Sequence, residues 1–263
     1  QLSVKDLYEY PLSHLSLLFD PNRRSAVPVA IQSSYRDWAN EWRLPADLKP
    51  LDASSNVAEK KHVFVTGATG FLGPVLVAEI LAKFSAESLV YCLVRASSPE
   101  LARERLHSDL KRAGVLNSES FASRVLVLQG DLALPQFGLS APDYKTLVDS
   151  VSHIFHSGAC VNMTLPYRAL RPANVGGTVE VIRLATLASA RLHYISTVAA
   201  IPSDTSADED WIEPDLTKME LKDGYGQSKV VAEQLLNAAR RDLHLDVRVV
   251  RPSAICGDTR TGY

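Results

Sequence analysis

Two kinds of pattern alternate along most of the chain. Short runs dense in β-branched and other apolar residues occur at His62–Thr66, Ser88–Arg95, Arg124–Gln129, Ser152–His156, Leu192–Ser196 and Val247–Arg251, and these predict strands. Between them, apolar residues recur every three or four positions over Phe71–Phe84, Glu100–Ala113, Asn174–Ala188 and Gly226–Leu243, which predicts amphipathic helices. Strands apolar on both sides need cover on both faces, which helices in βαβ order supply. The expected fold class is therefore α/β, a doubly wound parallel sheet. No repeat of 20 to 50 residues interrupts this order, which excludes solenoids and propellers.

The first 58 residues read differently. Pro11, Pro21, Pro28, Pro45 and Pro50 break any long element there, so an N-terminal arm is expected over 1–58 and the sheet domain over 59–263. Within the arm, Ile31, Tyr35, Trp38 and Trp42 fall on one face of a short helix, a stripe suited to packing the arm onto the domain. Composition narrows the class further. The chain has 263 residues, 46% hydrophobic and 22% charged, with a formal net charge of −2. That balance suits a globular protein and offers no general attraction to nucleic acid or an anionic membrane. No apolar run is long enough to span a bilayer, and the first residues lack the basic-then-apolar pattern expected of a signal peptide. Cys92, Cys160 and Cys256 are scattered without pairing, so no disulfide framework or zinc site is expected and a reducing, cytoplasmic setting fits.

Candidate chemistry begins directly after the first strand with Thr66-Gly67-Ala68-Thr69-Gly70-Phe71-Leu72-Gly73, which leads into a helix. Glycines at 67, 70 and 73 let backbone N–H groups approach a pyrophosphate where a Cβ would clash, and the helix start presents its positive end to the anion. The strand, turn and helix context is what makes a glycine triplet informative. At the end of the second strand, where an NAD enzyme carries an acid for the ribose 2′-hydroxyl, this chain has Arg95. A guanidinium suits a 2′-phosphate, with Arg105 from the next helix as a second positive charge, so NADPH is the expected cofactor. Further on, Tyr225 and Lys229 lie one turn apart on one helix face. The ammonium is expected to lower the phenol's pKa and to hydrogen-bond the nicotinamide ribose, leaving Tyr225 as proton donor to a carbonyl. Ser196 and Thr197 end the preceding strand, at the sheet edge where such folds bind ligands, and Thr197 is the expected second hydroxyl donor.

With the glycine motif, the Thr197–Tyr225–Lys229 set and the segment Val250–Gly262, the chain resembles the extended short-chain dehydrogenase/reductase superfamily, of Rossmann fold. The segments around Arg95, Gly130–Leu132, Ile154–Asn162 and Pro172–Thr178 are similar to thioester reductase domains. Such domains end polyketide and nonribosomal peptide synthetases, and also occur in aminoadipate and carboxylic acid reductases. The resemblance covers roughly residues 60 to 263. It implies that Asp131 and Leu132 flank the adenine, that Ser157, Gly158 and Ala159 pass along the ribose and pyrophosphate with Asn162 nearby, and that Pro252, Ser253 and Ile255 meet the nicotinamide. Relatives more often carry Asn-Ala-Ala where His156-Ser157-Gly158-Ala159 stands, and often Gly where Ala254 stands, both small-for-small changes.

The implied activity is reductive release of an acyl or peptidyl thioester from the phosphopantetheine arm of a carrier-protein domain, giving an aldehyde or, after a second hydride, an alcohol. Extended members build a substrate lobe from residues beyond the sixth strand. A chain ending at Tyr263 is thus expected to bind NADPH but to reduce thioesters weakly or not at all. Two alternatives stand beside this reading: an extended reductase or epimerase acting on a free small molecule, and a non-reducing release or dinucleotide-sensing module. Arg95 argues against the first, and retention of both Tyr225 and Lys229 against the second.

Overall fold

The computed structural model describes residues 41–50, 60–114, 123–201 and 223–257, all within one compact unit that begins at Glu41. Among them are six strands: β1 (His62–Thr66), β2 (Val90–Val94), β3 (Val125–Gln129), β4 (Val151–His156), β5 (Arg191–Ile195) and β6 (Val247–Val250). The six helices between them are α1 (Gly73–Lys83), α2 (Pro99–Arg112), α3 (Ala141–Ser150), α4 (Tyr167–Arg171), α5 (Gly177–Ala188) and α6 (Gly224–Asp242). The strands form one parallel sheet in the order β3-β2-β1-β4-β5-β6. This is the doubly wound arrangement, with its topological switch point between β1 and β4, where a cleft opens at the carboxyl ends of the strands.

Alternation along the strands divides the core into two layers. Val63, Val65, Cys92 and Val94 pack with Val77 and Ile80 of α1 and Ala102, Leu106 and Leu110 of α2. On the opposite face, Phe64 meets Phe137, and Phe137 meets Tyr144 of α3, at ring-centroid distances of 5.4 and 6.4 Å. Full burial of such side chains stabilises the fold by roughly 1.5–3 kcal/mol each.

Each strand and helix start lies within about two residues of its expected place except at α5. The helix expected from Phe71 begins at Gly73, with Pro74 beside its start and Gly67–Gly70 closed as a turn by the Gly70 N–H donating to Gly67 O at 2.9 Å. The helix expected over Asn174–Ala188 is the end of a longer run. It starts at α4, passes through a π-turn at Pro172–Gly176, and becomes α5. Pro172 has no N–H to give to the helix ladder, and a wide turn accommodates it. Helix α3 has no counterpart among the expected elements. Its start carries a legible cap, Ser140, whose Oγ accepts from the Asp143 N–H at 3.2 Å, with Pro142 in the first turn.

Residues 41–50 lie against the helices. Glu41 accepts from the Tyr167 hydroxyl at 2.7 Å and pairs with Arg171, and Asp47 pairs with Arg183 of α5. Trp42, Leu44, Pro45 and Leu48 line a recess closed by Asn237 and Ala238 of α6 and by Leu243 just after it. Ile31, Tyr35 and Trp38, the rest of the stripe expected in the arm, lie outside the described residues.

One side chain ties the β3 edge to α1. Arg124 donates to the carbonyls of Leu81 (2.9 Å), Ser88 (3.0 Å) and Ser85 (2.8 Å), which gather at the C-terminal end of α1 and the turn after it. There a cation meets the negative end of the helix dipole. Arg124→Ala is expected to lower the unfolding free energy by about 2 kcal/mol, and Arg124→Lys to recover only part of it, because an ammonium cannot fork to three carbonyls. Urea titration of the two variants checks this; equal stability of both with the parent chain would assign no weight to the clamp.

Candidate dinucleotide and catalytic site

The glycine turn after β1 packs so tightly that its backbone is nearly the whole of its structure. Gly67 has φ +77°, and a Cβ there would lie 2.6 Å from Gly158 N. A Cβ on Gly73 would lie 2.1 Å from Gly67 O. Both contacts are with backbone, which cannot move aside. Gly67 and Gly158 thus close the junction of β1 and β4, and Gly73 lets α1 start directly beneath the turn. Gly67, Thr69, Gly70, Phe71 and Leu72 border a cavity of about 400 Å³ at the carboxyl edge of the sheet.

That cavity crosses the strand ends in spatial order. It begins with Asp131 and Leu132 after β3 and Arg95 after β2, where Arg105 reaches over from α2 to donate to Arg95 O at 2.8 Å. It continues past the glycine turn and Ser157, Gly158 and Ala159 after β4. It ends with Ser196, Tyr225, Lys229 and Ile255. Most of the site residues expected from sequence are thus brought together on one wall or another. The cradle that Cβ atoms would fill, the basic pair at one end and the length across the switch point fit an extended dinucleotide.

The remaining expected residues are placed elsewhere. Thr66 is fully buried beneath the cavity, its Oγ1 accepting from the Gly158 N–H at 3.1 Å and hydrogen-bonded to His156 Nδ1 at 2.7 Å. Gly73 is a packing position. Asn162 turns its Oδ1 to the N–H groups of Thr164 and Leu165, at 2.9 and 3.1 Å, and so caps its own turn. Pro252 and Ser253 lie at the β6 end beside the cavity wall, not on it; Pro252 O accepts from the Val198 N–H at 3.1 Å. Thr197 likewise does not line the cavity. Its Oγ1 accepts from the Ala199 N–H at 3.2 Å, which leaves the hydroxyl proton for another acceptor.

The lysine corrects one expectation. Lys229 is 2% exposed, and its ammonium donates to Tyr194 Oη at 2.9 Å and to Ile195 O at 2.8 Å, not to Tyr225. Burial pulls its pKa down to about 7, and the nearby Glu233 carboxylate opposes this. The Tyr225 phenol is raised, not lowered, by burial first and the Asp223 carboxylate second. The pair is adjacent, as its spacing required, but in this arrangement the phenol is not acidified.

Several supporting residues escaped the sequence reading. Asn174, held in the π-turn and 1% exposed, accepts from the Cys160 N–H (2.7 Å) and donates to Cys160 O (3.1 Å) and Ser228 Oγ (2.9 Å), tying the strand-end loop to α6. Glu233 accepts from the Ser196 hydroxyl and from Arg251, whose Nη2 lies 2.7 Å away. An Asn in a predicted helix and a Glu–Arg pair 18 residues apart carry no local signal of these contacts. His156 is 1% exposed, and its Nε2 finds no partner among the described residues.

A doubly wound sheet with a glycine-walled cleft at its switch point and a Tyr–Lys pair beside it defines the extended short-chain dehydrogenase/reductase class of nicotinamide-dinucleotide-binding domains. Comparison with known proteins sharpens this: an NAD-binding family model described as "Male sterility protein" matches residues 65–263, and the chain belongs to that family. It is 39% identical to a glycine betaine reductase of Emericella nidulans, over 79% of this chain and 17% of that protein. It is 37% identical to one of the linear gramicidin synthase proteins of Brevibacillus parabrevis, over 83% of this chain and 4% of that protein. Among solved structures, the terminal R domain from the myxalamid PKS-NRPS pathway is 34% identical with a TM-score of 0.70, over 83% of this chain and 56% of that one. The resemblance to synthetase reductase domains and the doubly wound fold are thus borne out. The chain spans a small part of those curated relatives and about half of that domain.

Burial of His156 makes stability depend on pH. Its pKa is pulled from 6.5 to about 3, by burial first and the Lys229 charge second. The unfolded chain therefore binds the extra proton between those two values, so the stability present above about pH 6.5 is lost as pH falls toward 3. His156→Asn is expected to reduce that slope by about one proton, or about 1.4 kcal/mol per pH unit. Unfolding titrations at several pH values between 4 and 7 measure it, and identical slopes would contradict the buried neutral imidazole.

Proposed function

We propose that this chain is the cofactor-binding part of an NADPH-dependent thioester reductase, one that releases an acyl or peptidyl group from a carrier-protein phosphopantetheine as an aldehyde, with a second hydride giving the alcohol. The observation that carries the reading is one continuous cavity with Arg95 and Arg105 at one end and Tyr225 and Lys229 at the other. A basic pair with no carboxylate from the β2 end suits a 2′-phosphate, and the reductase-domain relatives supply the substrate class.

In this reading the chain's own groups act as follows. The glycine turn offers backbone N–H groups to the pyrophosphate, and Arg95 and Arg105 hold the 2′-phosphate. Lys229, anchored from below, directs its remaining N–H toward the ribose. When bound, the nicotinamide supplies the hydride that reaches the thioester carbonyl carbon. The Tyr225 and Thr197 hydroxyls donate hydrogen bonds to the oxygen on which charge develops, the place where fixed donors count most. The tetrahedral species then expels the pantetheine thiolate, which takes up a proton, and the aldehyde leaves. The N-terminal arm is the natural joint to a preceding carrier domain.

Two measurements test the reading. Arg95→Asp is expected to weaken NADPH binding by about a hundredfold while changing NADH affinity little, because a 2′-phosphate meets a carboxylate where it had a guanidinium. Titration of this chain by cofactor fluorescence reads both affinities, and equal losses for the two cofactors would place the 2′-phosphate elsewhere. Tyr225→Phe, made in the parent protein, is expected to keep NADPH affinity and slow NADPH oxidation with a model acyl thioester by about a hundredfold or more. Undiminished oxidation would remove Tyr225 from the proton-donor role.

A further inference from the structure

Parallel registry lines up three polar side chains across the middle of the sheet. Thr66 on β1 pairs in register with His156 on β4, and His156 with Tyr194 on β5. All three are at most 1% exposed, on the face covered by α5 and α6, and the His156 and Tyr194 rings are 5.3 Å apart. The row ends under Lys229. The ammonium stands 4.2 Å from the centroid of the Tyr194 ring as well as 2.9 Å from its hydroxyl oxygen.

The protons around this contact have defined directions. Thr178 of α5, beside the phenol, gives its own proton to Asn174 O at 2.6 Å, and the phenol oxygen accepts from Lys229. An ammonium has three donors. One goes to Tyr194 Oη and one to Ile195 O, and the third is left for the cavity that Lys229 lines together with Tyr225.

We propose that Tyr194 is the positioning residue for Lys229: its oxygen and ring face hold the ammonium charged and aim its free N–H into the cavity. The assignment rests on the function proposed above, in which that N–H meets the ribose. A lysine stripped of water needs compensation to stay protonated, and a phenol oxygen plus a π face supply it locally. The other groups that face it are Glu233, one turn further along its own helix, Tyr225, one turn back, and the neutral His156 from β4. None of these donates or accepts a hydrogen bond with the ammonium.

The direct test follows the Lys229 side chain by NMR, its signal identified by loss in Lys229→Met. In Tyr194→Phe, which keeps the ring and removes the acceptor, the titration midpoint is expected to fall by about one pH unit from its starting value near 7. Thr178→Val, which leaves the contact between phenol oxygen and ammonium in place, is expected to keep the midpoint unchanged. An unmoved midpoint in folded Tyr194→Phe overturns the proposal. Cofactor binding supplies the second readout as a double-mutant cycle. Tyr194→Phe is expected to weaken NADPH about tenfold when Lys229 is present and to change nothing further in Lys229→Met. Equal losses in both backgrounds would make Tyr194 a packing residue and refute the positioning role. Failure of every form to bind NADPH would refute the proposed function, while the titration would still decide the role of Tyr194.

Discussion

The site depends on how closely two backbone segments can approach at the switch point of the sheet. With a Cβ on Gly67 only 2.6 Å from Gly158 N, the turns after β1 and β4 touch through main chain alone. This contact brings the end of β4 up against the glycine turn, and Thr66 locks it from below by accepting the Gly158 N–H. The cleft is open where the crossover connections diverge, and closed along its floor where the glycines meet. The strand-end residues that line it, among them Asp131, Arg95, Ser157 and Ser196, take their spacing from that junction.

The local rules of the chain made much of this legible. Short apolar, β-branched runs found the six strands and a period of 3.6 found four of the helices, and parallel topology followed from strands apolar on both faces. The glycine turn and the Tyr–Lys pair were legible because each is a short-range constraint: a turn without Cβ atoms, and two residues one helical turn apart. Arg95 and Arg105 are ten positions apart, yet both follow from where a strand ends and how a helix returns. Helix α3 was missed although Ser140, Pro142 and Asp143 signal its start. Its core contacts are made by Tyr144 and Leu147, beside the left-handed Phe137 (φ +59°) that precedes it, and two buried positions in ten residues make too short a stripe to stand out.

What sequence could not show is which hydrogen bond a polar side chain takes when several are in reach. Asn162 and Asn174 look alike in the text. The first caps its own turn, while the second reaches across to Cys160 and Ser228 because a π-turn rotates it inward. Likewise the spacing of Tyr225 and Lys229 fixes their shared face but not the partner of the ammonium. That partner is Tyr194, which sits 35 residues away in sequence and becomes a neighbour only through the βα crossover. Registry across three strands is a tertiary property, so the Thr66–His156–Tyr194 row has no local signature.

Helix α6 is where these two scales meet. Tyr225, Lys229 and Glu233 follow at steps of four and so share one face. Tyr225 lines the cavity, Lys229 holds the last residue of β5, and Glu233 grips both strand ends through Ser196 and Arg251. A buried carboxylate and guanidinium, 6% and 15% exposed, are a poor source of net stability, because desolvation of both charges opposes their attraction. The forked geometry, with Arg251 Nε 3.1 Å from each carboxylate oxygen, instead gives direction. It fixes where Ser196 ends and hence where Thr197 begins, relative to the helix that carries the phenol. A hydrophobic pair could fill the same volume, but it could not hold the ends of β5 and β6 in one angular relation to Tyr225. The charges here serve placement, in the same way that the phenol of Tyr194 serves Lys229.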